Sequence, residues 1–279
     1  MVSLASIIAM FITLAICMFV PIIALIVYAV KNKGKGVWIA WLLGAAGFFV
    51  MQIIIRMTIL SILQMQPGFV AWASGHYAVY TLSLAFTAGL FEVVARYVVA
   101  KLLKKKQCYE VAVGAGLGHG GIESIVLIGM TYINNILYSF MINSGYFREV
   151  TYQMENTGLD LTSLLSVEYQ LINTPPVTFL LAGYERILTI ILHVAMTVIV
   201  FYFVYKGKDF VGIILCLLIH TLIDLVPGIS TSTVDYLIQK GISLPDATIY
   251  IVIYALLTIM AIAGIIITAS IRKKWKANK

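Results

Sequence analysis

Apolar residues in this chain do not alternate with polar ones; they come in long runs. Crossing a bilayer takes about 20 apolar residues. Seven stretches qualify: Leu4–Val30, Val37–Leu63, Tyr77–Ala100, Tyr109–Ile133 with an extension to Met141, Val177–Tyr205, Phe210–Leu225 and Ala247–Ile271. The sixth is the shortest. A backbone facing lipid must satisfy its own hydrogen bonds, so each run predicts a helix. The fold class expected is all-α: a polytopic membrane protein of seven transmembrane helices, folded as a single integral membrane domain over residues 1–279. Pro21 predicts a kink in the first span. The long connection over 143–176 holds Glu149, Glu155, Asp160 and Glu168 and ends at Pro175-Pro176. It reads as a solvated extracytoplasmic loop, with a short surface helix over Leu159–Ile172 as the alternative.

Composition supports the same medium. The 279 residues are 61% hydrophobic and 11% charged, where a soluble domain carries about a quarter charged. The first run has no basic segment before it and is far longer than the apolar core of a signal peptide, so it predicts a true span with the N-terminus outside.

Charge sets the expected orientation. Fourteen basic residues fall at alternate ends of the spans: Lys31, Lys33 and Lys35; Lys101, Lys104, Lys105 and Lys106; Lys206 and Lys208; Arg272, Lys273, Lys274, Lys276 and Lys279. The opposite ends carry only Arg148 and Lys240. Basic residues are retained on the cytosolic side. The C-terminus is therefore expected in the cytosol of a cell with this chain in its membrane, a bacterial cytoplasmic membrane being the natural setting. The net charge of +7 then follows from topology and contact with anionic membrane lipid, and no nucleic-acid partner is implied. Trp38, Trp41 and Trp275 are placed as interface anchors. Cys17, Cys108 and Cys216 form no disulfide framework.

The stretch GAGLGHGGIESIVLIG (114–129) contains Gly116-x-Gly118-x-x-Gly121, a dinucleotide-binding pattern. That pattern needs a preceding strand, and here it lies inside an apolar run. Gly114, Gly118 and Gly121 instead suggest a helix face cleared for close packing.

Packing does not explain the ionisable residues inside the runs, each of which costs on the order of 3 kcal/mol in a membrane. They are Arg56, Glu92, Arg96, His119, Glu123, Glu185, Arg186, His193, His220 and Asp224; His76 lies at an outer edge. Arg56 is expected to snorkel or to pair with Glu185. Glu92 is 9 residues from Lys101, His119 is 9 from Glu110, His220 is 11 from Asp209 and His193 is 13 from Lys206. At a helical rise of about 1.5 Å per residue, all four lie about 13–20 Å below one surface. Glu92/Arg96, His119/Glu123 and His220/Asp224 are spaced i, i+4, so each pair shares a face. Such pairs also occur simply to lower the cost of burial. Three of them together with His193 at a common depth predict one shared polar site. Within it an acid can point into the site or orient an imidazole.

FEVVAR (91–96), HGGIE (119–123), ERILTIILH (185–193) and HTLID (220–224) occur in that order on consecutive runs. This set resembles the CAAX-protease and bacteriocin-processing superfamily, and within it the YhfC-type intramembrane metalloproteases, with the PrsW-like proteins as neighbours. The resemblance covers about 77–225. Glu92 with Arg96 matches the first superfamily motif, although Phe91 stands where a second glutamate is usual. His220 with Asp224 matches the last. The middle motif fits either His119, with Ala115 in the aromatic position, or Glu123, with His119 in that position. His193 after Arg186 is similar to the PrsW-like third helix.

The resemblance implies hydrolysis of peptide bonds in a membrane-anchored peptide or protein substrate. Glu92 would be the base that activates water, held ionised by Arg96. His119, His193 and His220 would bind a divalent metal, zinc foremost, or stabilise the oxyanion. Asp224 would orient His220, and Glu123 would join the catalytic set. His-Glu-x-x-His is absent, and a metal-free glutamate mechanism fits the same residues. Two other classes fit buried acids and histidines. A proton- or metal-coupled transporter would favour inverted repeats, and none is visible. A non-catalytic scaffold or immunity protein would keep the fold without needing Glu92.

Overall fold

A computed structural model describes residues 1–156, 160–240, 242, 245 and 247–277, without the side chains of 231–239. Among the described residues there is no strand. The helices run in the order α1 (Leu4–Lys31), α2 (Val37–Gln64), α3 (Pro67–Gly75), α4 (Tyr77–Leu102), α5 (Tyr109–Ser144), α6 (Tyr146–Glu155), α7 (Thr162–Asn173), α8 (Pro176–Tyr205), α9 (Asp209–Gln239) and α10 (Thr248–Ala277). A 3₁₀ turn over Lys104–Lys106 joins α4 to α5. Seven of these helices, α1, α2, α4, α5, α8, α9 up to Ser230, and α10, are long and apolar enough to cross a membrane. The chain is an all-helical, multi-pass membrane protein. Each span starts within a few residues of its apolar run, because the hydropathy pattern and the backbone's need for internal hydrogen bonds act on the same segment, while α9 continues past its run to Gln239.

Among the described residues two π-helical stretches interrupt the regular winding, Phe49–Arg56 in α2 and Ser124–Gly129 in α5. Hydropathy carries no signal for either. Such wide turns are rare and gather at functional sites.

By internal contacts the chain divides into two units, Met1–Ile22 with Ser124–Ile187, and Ile23–Glu123 with Leu188–Lys279. In the first, Val2, Ile7 and Met10 pack with Tyr132, Ile136, Leu171 and Phe179. The hydroxyls of Thr13 and Tyr132 both donate to the Phe179 carbonyl, at 2.6 and 3.1 Å. The Asn143 side chain brackets Val2, accepting from its N–H at 2.7 Å and donating to its carbonyl at 2.9 Å.

The connection expected as a solvated loop is largely helical. It carries α6 and α7, with Phe147 and Leu171 buried. Leu159, the expected start of the surface helix, lies outside the described residues; the helix begins at Thr162. Asp160 accepts from the Thr162 N–H at 2.9 Å, and the Thr162 hydrogen bonds hold its carboxyl below the usual range. Gly145, at φ 83°, ends α5 and turns the chain into α6; glycine takes that conformation without strain.

The second unit holds a core that includes Val93, Ala100, Ala112, Leu192, Phe201, Leu217 and Trp275. Here α2 and α5 meet backbone to backbone. A Cβ built on Gly118 would fall 2.0 Å from the Trp41 carbonyl oxygen, and one on Gly44 2.0 Å from that of Ala115. One on Gly114 would stand 3.0 Å from the Val37 carbonyl. The small-residue face is therefore a packing seam, as its position in an apolar run suggests. A second cleared face was not expected. A Cβ on Gly116 would approach Val194 Cα to 2.6 Å, and one on Gly120 would approach His193 Cβ to 2.9 Å. Glycines two apart thus admit α2 on one side of α5 and α8 on the other.

Gly118→Ala is expected to lower stability by about 1–3 kcal/mol through overpacking, seen as an earlier thermal unfolding transition of the solubilised protein. Gly75→Ala, which has open space around the new methyl, should melt with wild type.

Candidate active site

Within the second unit the expected polar residues converge. Glu92 and Arg96 come from α4, His119 and Glu123 from α5, His193 from α8, and His220 and Asp224 from α9. Glu92, Arg96, His119, His193 and His220 are each 5% exposed or less. The focus is a single oxygen, Glu92 Oε2. His220 Nε2 stands 2.8 Å from it, His119 Nε2 2.9 Å and Arg96 Nη2 3.1 Å. His193 joins by its other neighbour: its Nδ1 lies 2.6 Å from Arg96 Nη2 and 3.7 Å from Glu92 Oε2.

Behind the imidazoles stand two more carboxylates. Asp224 Oδ2 is 3.1 Å from His220 Nδ1, off the line of a hydrogen bond, and Asp224 is 32% exposed. Glu123 Oε2 is 2.7 Å from His193 Nε2. Spacing along α5 pointed Glu123 at His119, one turn away; the structure sets it against a histidine of another helix. Because Arg96 can only donate, His193 Nδ1 accepts and its Nε2 carries the proton toward Glu123. Phe48 meets the His119 ring edge-on at 5.1 Å between centroids.

Two positioning residues escaped the sequence reading. Gly120 lies under the His193 side chain, and a Cβ on Gly89 would stand 3.3 Å from His220 Cβ. Both are small residues within a turn of a buried ionisable group, and that adjacency is the signal that finds them. Arg56 does not snorkel. It is buried, with Nη2 donating to the Leu84 carbonyl at 2.8 Å and Nε 3.4 Å from the Thr87 hydroxyl. Glu185 lies in the other unit, where it accepts from its neighbour Arg186.

A profile of the YhfC intramembrane metalloprotease family matches residues 16–242. The chain belongs to that family. All seven polar residues of the cluster fall inside the matched span. A YhfC-family relative, "Uncharacterized membrane protein YhfC" of Bacillus subtilis (strain 168), is 29% identical over 271 residues, covering 95% of this chain and 97% of the relative. No solved structure matches the chain.

The family's name implies a metal, and the donors present can be tested for one. One ligand atom each from Glu92, His119 and His193 lie within 4.8 Å of one another, all buried. Two imidazoles and a carboxylate are a donor set seen at catalytic zinc sites. His193 also has a carboxylate, Glu123, 2.7 Å from its Nε2, the kind of neighbour that orients a metal-bound histidine. The residues fit a divalent cation. The converging trio contains Glu92 in place of His220, which the sequence reading had grouped with His119 and His193.

Purified wild-type protein is expected to carry about one zinc per chain. Glu92→Gln and His119→Ala should lose it, while His220→Ala retains it. Elemental analysis decides this, and equal content in all four proteins would disprove the trio.

Proposed function

We propose that this protein is an intramembrane endopeptidase that hydrolyses a membrane-anchored peptide or protein at the Glu92 cluster. The observation that carries the reading is the gathering of three imidazoles from three helices, and of a guanidinium from its own helix, about one buried carboxylate. An acid in an apolar medium needs a reason to be there, and a carboxylate so surrounded is equipped to handle protons. The superfamily resemblance of Glu92/Arg96 and His220/Asp224 supports the same chemistry.

Arg96 has two roles by geometry. Its Nη2 donates to Glu92 Oε2 at 3.1 Å and so orients that carboxylate. Its Nε and Nη1 are buried without a hydrogen-bond partner. Buried donors in native proteins are nearly always satisfied, so these two are suited to the carbonyl oxygen of a substrate or to the water that attacks it. Negative charge growing on that oxygen would be met by preorganised donors. His220 lies between Glu92 and Asp224, with one ring nitrogen toward each. It can pass a proton from the buried carboxylate to the partly exposed one. Glu123 faces the His193 ring at ion-pair distance, 2.7 Å from its Nε2 and off the line of a hydrogen bond. Where a divalent cation is bound, Glu92, His119 and His193 would hold it, and it would lower the pKa of water and polarise the scissile carbonyl.

The transporter reading has less behind it. The polar residues gather at one locus in one unit, where alternating access favours paired broken helices in two repeats.

Comparison of membrane-protein N-termini in cells expressing wild type or Glu92→Gln identifies the cleaved substrate. With that substrate, Glu92→Gln should lose about 10²–10⁴-fold in rate. Unchanged cleavage, or solute uptake into liposomes that needs Glu92 with no cleavage anywhere, would refute a peptidase. Asp224→Asn acts through His220 and should lower the rate about 10–100-fold while leaving metal content unchanged.

A further inference from the structure

The lysine-rich end of the second unit carries a cavity unrelated to the buried cluster. Its volume is about 490 Å³, and it lies where the loop after α1, the 3₁₀ turn after α4, the start of α5 and the end of α10 come together. Lys35, Lys105, Lys106 and Lys276 line it, with Glu110 as the lining acid. Glu110 pairs with Lys35 at 2.6 Å. Three ammonium groups remain around the cavity without a carboxylate at ion-pair distance among the described residues. Arg272 adds a fifth positive charge nearby, stacked over the lining Tyr109 at 5.5 Å.

Like charges held together repel unless an anion enters. Trp275 walls the cavity, 1% exposed, its ring packed against Tyr202 and Tyr205. Four cations around one hollow ask for a compact anion with several acceptor oxygens. The cavity sits at the ends of membrane-crossing helices, beside the tryptophan and tyrosine rings that mark the headgroup level. A phosphodiester is the anion abundant at that depth, and basic cavities between spanning helices suit such headgroups.

We infer that this cavity is a binding site for the phosphodiester headgroup of an anionic phospholipid, held by Lys105, Lys106 and Lys276.

The test uses the full chain in a zwitterionic detergent, titrated with phosphatidylglycerol and, separately, with phosphatidylcholine. Phosphatidylglycerol should bind in preference. Lys105→Gln/Lys106→Gln should weaken it roughly thirtyfold, at about 1 kcal/mol per lysine. Lys33→Gln, outside the cavity, should leave it unchanged. All the lysines concerned are exposed, so folding is not at risk. Equal weakening by Lys33→Gln and by the double variant would overturn the site in favour of diffuse surface charge. Equal affinity for phosphatidylcholine, or displacement of the lipid by equimolar inorganic phosphate, would overturn the lipid assignment.

Discussion

The carboxylate of Glu92 is the constraint on which the second unit depends. An ion of that size taken out of water without partners costs several kcal/mol even after the protein relaxes. Here its charge is met by Arg96 on its own helix, His119 on α5 and His220 on α9. Because the donors sit on different helices, satisfying one oxygen sets the height and rotation of three spans at once. Helix α8 is tied in by the 2.6 Å contact from Arg96 to His193. Apolar contact between helices in lipid is only weakly specific, since lipid tails are as apolar as leucine. A buried charge with directional partners supplies the register that apolar contact does not.

Those partners can reach Glu92 only because the helices approach closely, and glycine makes the approach possible. Gly89 leaves room for the His220 side chain, and Gly120 leaves room for that of His193. Gly114, Gly118 and Gly44 bring α2 against α5, which presents Phe48 to the ring of His119. The glycine-rich stretch and the histidine inside it are thus one device. Small residues shorten the distance between backbones, and the polar side chains that remain span what is left.

Much of this was legible in the chain. The seven spans follow from hydropathy, which is local. The polar set follows from counting ionisable residues within those spans and measuring their distance from charged ends. What could not be read is which acid serves which imidazole. Spacing of i, i+4 shows only that two side chains share a face. His220 and Asp224 do meet, but the contact of Glu123 is with His193 on another helix. The same gap explains Arg56, whose partners are a backbone carbonyl and a threonine hydroxyl on α4. Helix α6 was missed because its composition is polar, and its one buried anchor, Phe147, shows only in three dimensions. The π-helical stretches depend on packing and leave no period to detect.

The cluster also couples Arg96 to any cation that its donors would hold. Glu92, His119 and His193 offer a complete donor set, yet a guanidinium already stands among them. Arg96 lies 3.1 Å from the Glu92 oxygen and 2.6 Å from His193 Nδ1. A neutral imidazole has one lone pair, on the nitrogen without the proton. With Nε2 protonated toward Glu123, the lone pair of His193 is on Nδ1, and it can accept from Arg96 or ligate a cation but cannot do both. Two positive charges at that separation repel strongly in a medium of low dielectric. Cation occupancy and the position of Arg96 are therefore linked, and by the reciprocity of linkage each biases the other equally. The residue paired with Glu92 is thus the same one that a cation would displace from His193.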